Sequence, residues 1–280
     1  MKIVRSAREM QRLSTDLRIK GKSIGFVPTM GYLHEGHLSL MRRARKDCDV
    51  SIISIFVNPA QFGPSEDYRK YPRDLNRDER LAKSAGVDIL FSPSAKEIYP
   101  DKYFTYVNVE QLADSLCAAS RPGHFRGVAT IVAKLFNIVQ PEIAYFGQKD
   151  AQQVRIIQQM VNDLNLPIKI KILPIVRESD GLVLSSRNKY LSPKEREDAL
   201  VLSQSLKKAR TMINKGVRSS NKIISMIRGL ISKKKLAKIN YISCVNFTNL
   251  KSVKTIKKNT LIALAVRIGK TRLIDNIIVK

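Results

Sequence analysis

Two of the chain's three histidines flank one glycine in a short segment, Pro28 to Leu40. Imidazole groups such as those of His34 and His37 can donate hydrogen bonds to phosphate oxygens and stabilise the charge that grows as a phosphoanhydride breaks. Zinc binding is a weaker interpretation, because His-Glu-Gly-His lacks the helical spacing of a zinc protease and no further Cys or His lies nearby in sequence. A histidine satisfied in the core, or solvated on a turn, is the remaining alternative.

A strand must lead into this segment and a helix must follow it. Ser23 to Val27 is a short apolar run of the buried-strand type, and from Leu38 onward the apolar residues recur with helical spacing. A turn between strand and helix exposes backbone N–H groups at the positive end of the helix dipole, which suits a polyanion. Gly31 and Gly36 leave room there for a nucleotide. The pattern therefore predicts a phosphate-binding turn.

The motif Pro-Thr-Met-Gly-x-Leu-His-x-Gly-His in this segment closely resembles the nucleotide-binding signature of the pantothenate synthetase, or pantoate–beta-alanine ligase, family. His34 to His37 is similar to that family's version of the HIGH motif, which class I aminoacyl-tRNA synthetases and related nucleotidylyltransferases share. Later segments extend the resemblance: 58–63, 121–127, 147–153 and 177–188.

The resemblance implies an ATP-dependent ligation of pantoate and beta-alanine to pantothenate through a pantoyl-adenylate intermediate, with release of AMP and pyrophosphate. Such chemistry needs no enzyme nucleophile, so positioning and charge stabilisation must supply the rate. ATP is then a substrate, and Mg²⁺ is carried mainly by the nucleotide phosphates. No metal site within the protein is predicted. The family further implies a homodimer.

The resemblance also implies roles for individual residues. His37 is the expected catalytic donor to the phosphates, with His34 beside it, while the amides of Gln61 and Gln153 bind pantoate. The segment from Arg177 to Asn188 looks like the functional counterpart of the synthetase KMSKS loop, although Leu184 stands where family members often have Met. The ATP-binding residues implied are Met30, Gly31, Tyr32, Leu33, His34, Glu35, Gly36, His37, Gly147, Gln148, Lys149, Asp150, Val176, Leu184, Ser185, Ser186 and Arg187.

Alternating strands and helices predict an α/β fold with a Rossmann-like, doubly wound parallel sheet. Val50 to Val57 is too continuously apolar for a half-exposed strand, and therefore suits a parallel sheet covered on both faces. We predict a nucleotide- and pantoate-binding domain over residues 1–175 and a smaller α/β lid domain over residues 176–280. The Lys-rich segment 251–258 is predicted to be a solvated linker.

Two segments remain ambiguous on residue types alone. Asn58 and Gln61 follow a predicted strand at its carboxyl end, where open parallel sheets bind ligands. Their amides either recognise a hydroxyl or carboxylate or belong to an ordinary turn. Arg121 to Gly127 is predicted to be a loop before a helix from Val128 to Val139. The histidine and arginines of this loop either order it or approach substrate.

The net charge of +26, from 50 Lys and Arg against 24 Asp and Glu, is unevenly distributed. From Ala199 to Lys280 there are nineteen Lys or Arg residues and one acidic residue, Asp275. A nucleic-acid surface is one interpretation, and RNA binding is kept as an alternative function. We favour a solvated face, because Lys outnumbers Arg there and aromatic residues are few. A different nucleotidyl transferase is disfavoured by the 58–61 and 121–126 segments.

The chain is predicted to be soluble and cytoplasmic. No uninterrupted apolar stretch reaches membrane-spanning length, and the first residues lack a secretory apolar region. Cys48, Cys117 and Cys244 are odd in number and adjacent to no metal-ligand pattern. We therefore expect reduced, mostly buried thiols rather than disulfides or a catalytic cysteine.

Overall fold

The computed structural model of the chain describes residues 1–64, 66–114, 116 and 121–280. Contacts between Cα atoms divide the chain into two compact units. The first comprises Met1–Ala113, Arg121–Gln148 and Ile156–Pro174, and the second includes Lys149–Arg155 and Ile175–Lys280. The prediction for Cys117 concerns a residue outside the described ones.

The first unit is built on a parallel sheet, which has six strands within the described residues. Its spatial order is β1-β4-β3-β2-β5-β6, so the direction of winding reverses at the β2–β5 pair. Ligands of open α/β sheets bind beside the carboxyl ends of strands at such a reversal. The strands are β1 Lys2–Val4, β2 Ile24–Thr29, β3 Val50–Ile55, β4 Ile89–Phe91, β5 Ile143–Gly147 and β6 Lys169–Leu173.

Helices cover the sheet, as the apolar strands require. Ile52 and Ile53 are adjacent on β3 and both are fully buried, which shows that both faces of this strand are covered. The predicted Rossmann-like α/β fold is therefore confirmed. The helices are α1 Ala7–Ile19, α2 Glu35–Asp47, α3 Leu75–Ser84, α4 Ala95–Ile98, α5 His124–Val139 and α6 Ala151–Asp163.

Asp47, at the end of α2, is the centre of a charged cluster in the first unit. Both of its carboxylate oxygens accept from Arg43 Nε, at 2.9 and 2.8 Å. Lys171 Nζ on β6 and the Tyr145 hydroxyl on β5 also donate to it, at 2.5 and 3.0 Å. The hydrogen bonds from Arg43 and Lys171 hold the pKa of Asp47 well below its usual range. The cluster thus connects α2 to two strands.

The variant Asp47→Asn is expected to lower the free energy of unfolding by about 1 kcal/mol at pH 7, because the amide keeps fewer acceptors and no charge. A carboxylate with a depressed folded pKa stabilises the fold above its unfolded pKa and loses that contribution as pH falls. The difference from wild type should therefore shrink below about pH 4. Urea titrations from pH 3 to 7 measure it. A difference in the free energy of unfolding that does not depend on pH would contradict the prediction. Asp101→Asn, at an exposed position, is the control.

The second unit packs two helices against an antiparallel sheet of order β7-β8-β9. Ile223, Ile227 and Ile231 recur at helical spacing and are fully buried in its core. Among the described residues, no helix is long and apolar enough to cross a membrane. The elements are α7 Pro193–Asn214, α8 Ser220–Ile231, β7 Ala237–Asn246, β8 Thr260–Ile268 and β9 Thr271–Ile278.

The Lys-rich segment 251–258 is more than a solvated linker. Its lysines are exposed, as predicted. Ile256, however, is 1% exposed and packs in the core of the second unit, and its N–H donates to the Arg218 carbonyl at 2.7 Å. The linker prediction is therefore wrong for Ile256, because its apolar side chain anchors a segment whose charged side chains remain in water.

Cys48 and Cys244 are buried free thiols. Burial raises the pKa of Cys48 and raises that of Cys244 to about 11. Both thiols are therefore protonated at neutral pH, since only a lowered pKa would supply the reactive thiolate. Their packing agrees with the expected burial of the thiols.

Candidate functional site

The turn between β2 and α2 brings the two signature histidines together. His34 is the N-cap of α2 and has an extended backbone, and His37 lies in the first turn of the helix. The His34 N–H donates to His37 Nδ1 at 3.3 Å. The centroids of the two rings are 4.0 Å apart. The predicted pairing of these side chains at the helix start is thus present in the structure.

The hydrogen bond to His37 determines which ring nitrogen of the neutral imidazole carries the proton. A backbone N–H can only donate, so Nδ1 must be the unprotonated acceptor and Nε2 must carry the hydrogen. The ring therefore presents an N–H donor from its Nε2 side. The N–H groups of Glu35 and Gly36 have no intrahelical acceptor, because they are the first of α2. The start of α2 therefore suits an anion.

The N–H groups of residues 31–33, in the preceding turn, are already engaged, so the prediction of free N–H groups holds for the start of α2 and not for this turn. The N–H groups of Tyr32 and Leu33 both donate to the Asp78 carboxylate at 2.7 Å. The Gly31 N–H donates to Thr29 Oγ1 at 3.1 Å. These three donors serve two internal acceptors, the Asp78 carboxylate and the Thr29 hydroxyl, rather than a phosphate. Leu33 is also fully buried, so its side chain packs within the first unit.

Asp78 on α3 holds this turn in shape. It is 1% exposed, and burial raises the pKa of its carboxyl, while the two backbone N–H groups and Arg77 act in the opposite direction. It restrains two successive left-handed residues, Gly31 at φ +82° and Tyr32 at φ +51°. A Cβ on Gly31 would lie 2.9 Å from Asp78 Oδ2 and from Ile55 Cγ2. The turn therefore requires a glycine at position 31.

A cavity of about 270 Å³ adjoins the signature turn. Met30, Gly31 and Tyr32 form one side of it, and Asp78 contributes to its wall. The guanidinium of Arg73, which also lines the cavity, donates to the carbonyls of Tyr68 and Tyr71. This arginine therefore orders the neighbouring backbone.

Gln61 lies in a 3-10 turn, Pro59–Gln61, after β3 and is 8% exposed. Its Oε1 accepts from Asn58 Nδ2 at 3.1 Å, and its Nε2 contacts Met30 Sδ at 3.0 Å. A thioether is a weak acceptor, so the amide N–H of Gln61 retains most of its capacity for a stronger acceptor. The structure thus brings a predicted pantoate ligand next to the signature turn.

Arg121 and His124 order the Gln61 turn. Arg121 donates to both oxygens of Glu66, at 2.6 and 2.8 Å, and its Nη1 lies 2.8 Å from His124 Nε2. His124 Nδ1 lies 2.8 Å from the Gln61 carbonyl. The guanidinium can only donate and the carbonyl can only accept, so His124 is the neutral Nδ1–H tautomer. Both residues are therefore engaged in holding this loop.

Helix α5 begins at His124, four residues before the predicted start at Val128. The earlier start carries Gly127 against the Gln61 turn, where a Cβ would lie 2.1 Å from the Ala60 carbonyl oxygen. The Gly127 carbonyl also accepts from Asn58 Nδ2 at 3.0 Å. The absence of a side chain allows this close approach. Sequence reasoning missed the role of Gly127 because its contact is distant in sequence.

Gly147 and Gln148 lie at the same edge of the first unit's sheet as the turn between β2 and α2. β5 ends at Gly147 and pairs in parallel with β2 through Gly25 and Ile143. The carboxyl ends of both strands therefore point to the same edge, where the winding reverses. Gln148 opens a 3-10 turn, Gln148–Asp150, that leads into α6.

The second unit contains the other predicted ligands. Lys149 is a quarter exposed, and its Nζ lies 4.0 Å from Asp150 Oδ2. The Leu184 N–H donates to the Val176 carbonyl at 3.1 Å and closes a hairpin. Ser185 caps the 3-10 turn Ser186–Tyr190 by accepting from the Arg187 N–H at 3.3 Å. Gln153 lies on α6 and is partly buried; Ser186 is buried and Arg187 is half-buried.

Comparisons with known proteins agree with the predicted family. A family model for pantoate–beta-alanine ligase matches residues 2–278. A pantothenate synthetase from Heliobacterium modesticaldum is 58% identical over 280 residues, which span 100% of both chains. The crystal structure of pantothenate synthetase from Thermus thermophilus superposes with a TM-score of 0.94 at 42% identity, over 99% of both chains.

A further structure adds ligands to the comparison. The pantoate–beta-alanine ligase of Francisella tularensis, complexed with beta-gamma ATP and beta-alanine, has a TM-score of 0.81 and 39% identity. The match covers 99% of this chain and 97% of that one. With the family match over nearly all of its length, this chain belongs to the pantoate–beta-alanine ligase family.

Proposed function

We propose that this chain catalyses the ATP-dependent ligation of pantoate and beta-alanine to pantothenate. The family match over residues 2–278 carries this conclusion. In the first step the pantoate carboxylate attacks the α-phosphorus of ATP, and pyrophosphate leaves as pantoyl adenylate forms. In the second step the beta-alanine amine attacks the acyl carbon, loses a proton and displaces AMP.

On the first unit, the start of α2 binds the phosphates of ATP. His37 Nε2–H donates to a phosphate oxygen and stabilises the charge that develops as pyrophosphate leaves. His34, the N-cap beside it, and the N–H groups of Glu35 and Gly36 provide the surrounding positive potential. This assignment is supported by the Nδ1 hydrogen bond that leaves Nε2 of His37 as a donor. Met30 and Gly31 shape the adjoining surface.

On the second unit, Lys149 supplies a point charge for the triphosphate. Ser185, Ser186 and Arg187 add hydroxyl and guanidinium donors, which suit phosphate oxygens. The backbone of the hairpin contacts the rest of the nucleotide. Its contributing residues are Val176 and Leu184, with Asp150 and the neighbouring Gly147 and Gln148 of the first unit as further ATP contacts.

Mg²⁺ enters with ATP and is held mainly by the nucleotide phosphates, whose charge it offsets. Within the described residues, no group of three His, Cys, Asp or Glu side chains is arranged to hold a metal ion. Of the groups proposed for the triphosphate, Lys149 and Arg187 are cations and so bind phosphate rather than metal. Chelation with EDTA and titration of Mg²⁺ against ATP would measure this dependence.

Gln61 and Gln153 bind pantoate through their amide groups. The variant Gln61→Glu is expected to raise KM for pantoate at least about tenfold, because a carboxylate would replace the amide N–H and repel the carboxylate of pantoate. KM for ATP should change little. Initial rates at saturating ATP provide the measurement. Gln11→Glu adds the same charge at an exposed site and is the control; a similar KM in both variants would refute the role of Gln61.

Pyrophosphate release from ATP tests the overall reaction. The purified protein with Mg²⁺ receives pantoate alone, beta-alanine alone, and then both. We expect release that requires pantoate, and AMP with pantothenate accumulating once beta-alanine is present. Absence of release in a folded protein under all three conditions would contradict the proposed function.

The chain acts as a homodimer, as the family resemblance implies, and it acts in the cytoplasm. A mass near twice 31.7 kDa by light scattering would support the dimer, and the monomer mass would exclude it. The basic residues between Ala199 and Lys280 form a solvated face rather than a nucleic-acid site. Salt-dependent retention of RNA during purification would instead favour the RNA-binding alternative.

A further inference from the structure

Two adjacent polar residues of β9, Asp275 and Asn276, are buried in the second unit, at 2% and 3% exposed. Successive side chains of a strand point to opposite faces, so both faces of β9 are covered at this point. Asp275 is also the single acidic residue between Ala199 and Lys280. Buried polar groups are costly unless they are paired, so their contacts indicate what they stabilise.

Asn276 contacts the backbone of a predicted ATP ligand. Its Nδ2 donates to the carbonyl oxygen of Lys149 at 2.9 Å. The contact joins residues 127 positions apart in sequence, and both belong to the second unit. Lys149 lies in the short 3-10 turn Gln148–Asp150, directly before α6. The Asn276 amide therefore restrains the position from which the lysine side chain extends.

Asp275 fixes β9 at the same point. Both of its oxygens accept from Arg177, at 2.7 and 2.8 Å, in a bidentate ion pair. Arg177 lies in the hairpin that carries Val176 and Leu184, and it forms a bridge with Val183. Such a planar, two-bond contact is geometrically specific. Two adjacent residues of β9 thus hold two segments that carry proposed ATP ligands.

We propose that Asn276 is a positioning residue for ATP, which acts by holding the backbone of Lys149 where its ammonium meets the triphosphate. This inference rests on the proposed role of Lys149. A lysine side chain is long and flexible, so its charge is effective at a phosphate only if its backbone is held in place. Orientation of this kind contributes to catalysis without any contact between Asn276 and substrate.

A double-mutant cycle tests the inference. Asn276→Ala is expected to lower kcat/KM for ATP about tenfold, the loss that corresponds to one hydrogen bond, with KM for pantoate nearly unchanged. Lys149→Ala is expected to lower kcat/KM for ATP by a factor of about 10². In the Lys149→Ala background, Asn276→Ala should cause less than about a twofold further loss, because it has no ammonium left to position.

Full additivity of the two losses would overturn the inference, since Asn276 would then act independently of Lys149. An unchanged kcat/KM in Asn276→Ala beside a strong loss in Lys149→Ala would overturn it as well. If Lys149→Ala has no effect, the proposed role of Lys149 fails first, and the positioning role fails with it. The kcat/KM of the Lys149→Ala variant by itself therefore distinguishes failure of the proposed role of Lys149 from failure of the positioning role of Asn276.

A stability control separates positioning from unfolding. Ile277→Val removes one methyl from the neighbouring core residue of β9 and should lower the melting temperature by about 2 to 4 °C without a change in kcat/KM for ATP. A loss of kcat/KM for ATP in this control equal to that of Asn276→Ala would assign the effect to loss of stability and overturn the inference. If Asn276→Ala does not fold, Asn276→Ser, whose hydroxyl is shorter, replaces it in the same cycle.

Discussion

The variant His37→Asn is expected to release pyrophosphate from ATP about 10² to 10³ times more slowly than the wild type, the loss typical of one preorganised donor to a developing charge. Asn can retain the acceptor for the His34 N–H, which His37 Nδ1 provides at 3.3 Å. It has no group at the position of Nε2. The melting temperature should therefore change little while turnover falls, as pyrophosphate release and thermal melts would show.

His37→Gln is the matched comparison for this variant. The longer side chain can place its amide N–H near the position of the His37 Nε2 donor, so we expect it to retain more turnover than His37→Asn. Equal activity of the two variants would show that the donor at Nε2 is unimportant. A melting temperature that falls as far as activity would show that the histidine is structural.

Gly127→Ala is expected to lower the free energy of unfolding by about 2 kcal/mol or more, although Ala is the better helix former. The added Cβ would lie 2.1 Å from the Ala60 carbonyl oxygen and 2.7 Å from the Gln61 nitrogen. Backbone atoms cannot swing aside as a side chain does, so α5 and the Gln61 turn must separate. We also expect KM for pantoate to rise. Urea denaturation and initial rates would check both effects.

Gly229→Ala is the control, because the same substitution should there raise the free energy of unfolding instead of lowering it. Gly229 lies on α8, and a Cβ added there meets no atom within 4 Å. Alanine should raise the free energy of unfolding there by about 0.5 to 1 kcal/mol, through the lower entropy of the unfolded chain. If both substitutions stabilised the protein, the close approach at Gly127 would be disproved.

Elements with strong local patterns could be predicted from the sequence. The continuous apolar run from Val50 predicted a buried strand, and β3 is Val50–Ile55. Ser followed by Pro is typical of a helix start, and α7 begins at Pro193 with a capping box between Ser192 and Glu195. In each case the information lies within a few neighbouring residues.

Contacts between distant residues could not be predicted in this way. Asp78 accepts from the Tyr32 N–H, 46 residues earlier, and nothing in the pattern of α3 distinguishes it from a solvated carboxylate. Asn276 is separated by 127 positions from Lys149. The predicted site residues came from a local motif, whereas the residues that hold that motif in place are determined by tertiary packing.

The charged cluster at Asp47 also affects how the sheet meets other chains. Edge strands expose unpaired N–H and C=O groups, which can pair with another molecule and start aggregation. β1, at one edge, is only three residues long. At the other edge, β6 carries Lys169 and Lys171, and Asp47 holds the Lys171 ammonium. The two edges thus oppose intermolecular strand pairing by different means, one by its shortness and the other by its lysines, of which Lys169 is exposed and Lys171 is fixed in an ion pair.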